Sequence, residues 1–192
     1  MVMLYDAIQP PFTYRFRELD KSILRAYFRW FLQKLPEGVD ELLKAVRLTP
    51  GYEAWEPNCS PDSLDLLGKW FSLKVEMRDR TYQEIEEIRY RSSFEFDISD
   101  KELTDQTFSI AVDIAMYMSC LMLHNHPELK WDQPFGSKKF IDYGQPVLIK
   151  FTYGAFNPVR MMTTMAHAFA DNTWAPRKLR EVYDLWSAHI KT

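Results

Sequence analysis

The chain has 192 residues, 46% of them hydrophobic and 15% aromatic, and a formal net charge of −3. That apolar content excludes an intrinsically disordered chain, and a chain of this length can bury roughly 70% of its unfolded surface as one domain. Acids and bases are interspersed along the sequence, so no broad cationic field is expected for a nucleic-acid backbone.

Residues 1–16, with Pro10 and Pro11 among aromatics, predict an extended arm, and Asp6 with no basic-then-apolar pattern argues against an export leader. From residue 20 to 35, Ile23, Leu24, Tyr27, Phe28, Phe31, Leu32 and Leu35 recur at three- and four-residue spacing, the mark of one buried helical face. Pro36 and Gly38 predict a break, followed by a second helix over 37–47 that returns antiparallel and turns inward Val39, Leu42, Leu43 and Val46. Pro50-Gly51 ends it. Ser60-Pro61 predicts the next helix start, a hydroxyl cap followed by a preset φ, with Leu64, Leu67, Trp70, Phe71 and Val75 facing the core. Residues 77–91 are rich in charge and predict a solvated helix, in which Thr81 and Glu84 form a capping box before Ile85 and Ile88.

After a loop or short extended piece over 92–100, Thr104 or Asp105 caps a helix running to about His124. It is apolar almost all round and should be the central, surrounded helix. Its apolar run, residues 110–123, is shorter than the ~20 residues a bilayer requires and contains Asp113. A cytoplasmic protein with no membrane partner is therefore expected. Residues 129–132, 138–143 and 146–153 then predict three strands, with Gly136 and Asp142-Tyr143-Gly144 as their turns. Asn157-Pro158 opens a helix through Ala170, and a last helix covers 176–189 with Leu179, Val182, Tyr183 and Trp186 on one side. The fold class expected is α+β, predominantly helical, with about six to seven helices and a small three-stranded antiparallel sheet near residues 129–153. One domain spans 1–192: the arm, a helical part over 17–91, and a part over 92–192 with the central helix, sheet and last helices.

Chemistry-bearing patterns are few. Asp113 stands out, because a carboxylate on an apolar helix must be paired, hydrogen-bonded or protonated. It is the weak catalytic candidate, and a structural bond to Arg160, Lys150 or a tyrosine is the ordinary alternative. An open hollow joining Asp113 to His124 or His167 would favour catalysis. His124-Asn125-His126 lacks a third ligand at metal-binding spacing, and no glycine-rich phosphate loop or nucleophile elbow occurs. Neither a metal nor a cofactor is expected. Cys59 and Cys120, the only cysteines, fit thiols better than a disulfide. Tyr52, Trp55 and Trp174 fall in turn-like segments and are candidate exposed anchors; with Glu84, Glu86 and Glu87 they would suit a basic protein partner.

The stretch Pro127-Glu128-Leu129-Lys130-Trp131, followed by Gln145-Pro146-Val147-Leu148 and Asn157-Pro158, resembles a group of uncharacterised bacterial cytosolic proteins. These are similar to the immunity proteins of bacterial toxin systems, small acidic domains that bind and block a cognate toxin. The resemblance implies a protein-binding role and carries over no site residue. A small-molecule binder or enzyme with a pocket around Asp113 is the alternative.

Overall fold

In the computed structural model, which describes residues 15–91 and 97–191, the chain runs α1 (Lys21–Arg47), α2 (Ser63–Lys74), β1 (Met77–Asp79), α3 (Tyr82–Arg91), β2 (Lys101–Leu103), α4 (Asp105–Asn125), β3 (Lys130–Asp132), β4 (Val147–Phe151), β5 (Gly154–Phe156), α5 (Pro158–Ala170) and α6 (Lys178–Ser187). The fold is α+β and predominantly helical, as the sequence predicts.

α4 organises the rest. The Thr104 hydroxyl oxygen accepts the Thr107 amide at 3.1 Å and starts the helix, after which every residue from 109 to 119 is buried. α1 and α5 both pack directly against it. By length and composition α4 could cross a bilayer, but 78% of its apolar window is buried inside the protein. The main core draws on every other α-helix except α3: Leu42 and Val46 from α1, Trp70 and Phe71 from α2, Met162 and Met165 from α5, and Leu179 from α6 all join Ile114 and Leu121 of α4.

The break expected at Pro36 is absent, and one 27-residue helix replaces the anticipated antiparallel pair. A proline inside a helix loses one backbone bond and crowds the preceding turn, at a cost of about 3 kcal/mol. Burial on both sides offsets it: Leu24, Tyr27 and Phe31 precede the proline, and Leu42 and Val46 follow it. Gly38 has a different role from the one expected. A Cβ there would sit 2.5 Å from Met116 Sδ and 2.7 Å from Asp113 Oδ1, so the glycine lets α1 approach α4 closely.

β3, β4 and β5 form an antiparallel sheet in that order, with Trp131 opposite Leu148 and Leu148 opposite Phe156. The strand expected over 138–143 is instead a run of turns. The amides of Phe140, Tyr143 and Gln145 bond the carbonyls of Ser137, Phe140 and Asp142 at 2.9, 3.2 and 3.0 Å, which takes them from any ladder. The third strand is β5, reached through a tight turn where Gly154 has φ 115°. β1 and β2, also unforeseen, pair antiparallel with Arg78 opposite Glu102. At the start of α2 the Ser60 oxygen accepts the Asp62 amide at 3.3 Å, and the helix proper begins at Ser63.

Candidate functional site

Asp113 is fully buried where α1 crosses α4 at Gly38. His124 and His167 are exposed and share no hollow with it among those described: one of about 220 Å³ is lined by Arg15, Phe16, Arg17, Glu18 and Ile141, another of about 270 Å³ by residues on either side of Trp174. The Arg160 pairing offered for Asp113 goes elsewhere. Arg160 forks onto the buried carboxylate of Asp142, Nε to Oδ1 at 2.8 Å and Nη2 to Oδ2 at 3.1 Å. Asn157 completes this network, its Nδ2 donating to Asp142 Oδ1 at 2.9 Å while its oxygen caps α5 through the Arg160 amide. Every group in that cluster serves to hold the turns of 137–145 against α5.

Trp55 is a core residue, not an exposed anchor. It is 2% exposed, its Nε1 donates to the Ser63 carbonyl at 3.0 Å, and its ring meets Tyr117 edge-on at 5.5 Å. The loop that carries it is held by Arg47, whose Nε donates to the Trp55 carbonyl at 3.0 Å, and no periodicity in the sequence could reveal such burial. Tyr52 and Trp174 are half-buried against the same core, Trp174 with the Lys178 ammonium 5.4 Å from its ring centre. Beside Trp55, the Tyr117 hydroxyl lies 2.6 Å from Ser63 Oγ, and burial pushes its pKa up to about 12. Burial also raises the thiols of Cys59 and Cys120, neither of them in a disulfide.

The three acids expected at an interface are brought together on α3. Glu84 Oε2 accepts the Thr81 amide at 2.7 Å and Thr81 Oγ1 accepts the Glu84 amide at 3.2 Å, the capping box foreseen from the sequence. Arg78 also grips Glu84 with both terminal nitrogens, at 3.1 and 2.6 Å, and these bonds hold the Glu84 carboxyl down to about 2. Glu86 pairs with Arg89, and Glu87 with Arg15 at 3.8 Å. Each acid is thus answered by an arginine, so they form a balanced charge ladder more than an acidic patch. What the sequence reading missed is the pair of tyrosines around them. Tyr82 and Tyr90 are 79% and 92% exposed and lie with Glu86 at four-residue steps along one stripe of the helix. That spacing was the available signal.

At the end of α4, His126 Nε2 lies 3.1 Å from Ser187 Oγ and 3.4 Å from the Tyr183 hydroxyl, joining α4 to α6. Among the described residues no three His, Cys, Asp or Glu side chains are grouped as a metal site requires. Compared with known proteins, the chain matches no family model, no curated protein and no solved structure.

Proposed function

We propose that this chain is a cytoplasmic bacterial protein-binding domain, an immunity protein that binds and neutralises a cognate toxin, with α3 as its contact element. The observation that carries the reading is the Tyr82–Glu86–Tyr90 stripe. None of the α3 side chains from Tyr82 to Tyr90 is fully buried, so the helix adds little to the core while displaying two large rings to solvent. Tyrosine supplies broad contact area at low conformational cost and is enriched among residues that dominate binding energy. The net charge of −3 favours encounter with a basic partner. The full burial of Asp113 under α1 supports this reading over a pocket enzyme.

The test is co-expression with the product of each gene adjacent to its own. Rescue of growth from a toxic neighbour, together with a stoichiometric complex that Tyr82→Ala or Tyr90→Ala weakens about tenfold or more, is the expected result. If no neighbouring product is both toxic and relieved by the chain, the immunity reading fails. A complex insensitive to both tyrosine changes would move the contact away from α3.

A further inference from the structure

The interspersed charges of the sequence conceal a basic face that the fold assembles from two distant segments. Phe135 links them: the Lys21 ammonium and the Arg25 guanidinium lie 5.7 and 5.6 Å from its ring centre. Gln133 fastens the same junction by donating to the Leu24 and Gly144 carbonyls at 2.6 and 2.8 Å. One turn earlier in the chain, Arg15, Phe16, Arg17 and Glu18 share a hollow with Ile141. Lys138 lies 6.0 Å from the centre of the Tyr143 ring, and Tyr143 in turn meets Phe135 edge-on at 5.9 Å. Exposed Arg15, Arg17, Lys21, Arg25, Lys138 and Lys139 are thereby collected around Phe140 and Ile141, which are 45% and 54% exposed. The exposed acids nearby among the described residues are Glu18, Asp20, Glu87 and Asp132, with Glu18 3.9 Å and Glu87 3.8 Å from Arg15.

We infer that this face docks on an anionic lipid bilayer, Phe140 and Ile141 entering the headgroup region while the surrounding cations meet lipid phosphates. Two adjacent apolar side chains at the tip of a turn, ringed by lysine and arginine, match the apolar and ionic layers of such a surface. The tip is preorganised by its three turn bonds and by Asp142 beneath it, so little ordering entropy opposes insertion. A single-stranded nucleic acid fits less well, because the ring at the centre of the face, Phe135, is already covered by Lys21 and Arg25 and offers no platform for a base. The expectation of no membrane partner concerned a membrane-spanning segment, and a peripheral contact needs none. The face touches α3 through the Arg15–Glu87 pair at 3.8 Å and shares no residue with the Tyr82–Glu86–Tyr90 stripe.

Co-sedimentation with vesicles of phosphatidylcholine, with and without phosphatidylserine, tests the inference on the full chain. Pelleting with the phosphatidylserine vesicles alone is expected. Each cation near the surface contributes about fivefold, so Lys138→Gln with Lys139→Gln should lower partitioning about 25-fold. Phe140→Ser with Ile141→Ser should lower it at unchanged charge, and Tyr82→Ala with Tyr90→Ala should leave it intact. All these side chains are exposed, so far-ultraviolet circular dichroism and the thermal midpoint should match the parent and certify the fold. No pelleting overturns the inference. So does a Phe140/Ile141 double variant that binds like the parent, or equally tight binding of a single-stranded oligonucleotide, since either would reduce the face to a general polyanion contact.

Discussion

α4 and α3 begin with the same device and end in opposite environments. A threonine caps each, Thr104 through the Thr107 amide and Thr81 through the Glu84 amide, yet residues 109–119 of α4 are all buried while no α3 side chain from Tyr82 to Tyr90 is. Capping therefore decides where a helix starts and says nothing about where its stability comes from. α4 is held chiefly by apolar burial, which draws on no ion pair. α3 is held by ion pairs with Arg78, Arg89 and Arg15, which depend on pH and salt. Perturbations of the core should act on the whole molecule, and those of the α3 ladder on α3 alone.

Phe71→Ala should have the largest effect. Phe71 is fully buried and meets Phe169 edge-on at 5.4 Å, joining α2 to α5. Truncating such a ring costs about 3–5 kcal/mol, or a fall in Tm of about 6–20 °C for a chain of this size. Urea denaturation followed by circular dichroism checks it, and a loss below about 1 kcal/mol would contradict one continuous core.

Pro36→Ala should act in the opposite direction, raising stability by about 1–3 kcal/mol by restoring a backbone bond and relieving the crowding in α1. Were residues 37–47 a separate helix with Pro36 near its start, the proline would be preorganised there and its removal neutral or harmful. The sign of the change in denaturation midpoint decides between the two.

Asp142→Ala follows in size. It strips a buried acceptor from both Arg160 and Asn157. Because the Arg160 side chain is 41% exposed and can turn to water, the loss should be about 1–3 kcal/mol rather than that of a fully buried pair. Asp142→Asn, which keeps one carbonyl acceptor, should lose less.

What the sequence made legible follows the same division. α4, α5 and the α3 capping box could be read because each depends on local signals: an apolar run, Asn157-Pro158, and Thr81 three residues before Glu84. α1 was misread at Pro36 because the compensation for a helical proline lies across the interface, in Met116 and Asp113 meeting Gly38. Residues 138–143 carry the composition of a strand, but the Asp142–Arg160 pair is eighteen positions long in sequence and fixes them as turns. Trp55 was invisible as core for a related reason: its partners, Ser63 and Tyr117, come from other elements. Of the α3 surface, the acids were foreseen and the tyrosines were not, although Glu86 shares one helical stripe with Tyr82 and Tyr90. The basic face around Phe135 exists only once residues 15–25 and 133–141 are folded together.

The smallest effect is the sharpest separation of the two helices. The Glu84 carboxyl, held at about 2 against an ordinary value of 4.5 by Arg78 and the Thr81 amide, favours the folded α3 fully above the unfolded value. That contribution falls as pH drops from about 4.5 towards about 2, since the unfolded state takes up the proton first. Amide protection factors, taken relative to the intrinsic exchange rate at each pH, should therefore fall in α3 over this interval while those of α4 hold. Other carboxylates pair with the same arginine cluster, Glu102 with Arg78 and Glu86 with Arg89, so Glu84→Gln is the control. It should show α3 already loosened at neutral pH and a flatter response to acid. High salt should reproduce part of the loosening in the parent, because the Glu84 side chain is 36% exposed and its ion pair is open to screening. Equal loss of protection in α3 and α4 at every pH would mean that the two helices unfold as one unit, and the contrast between them would fail.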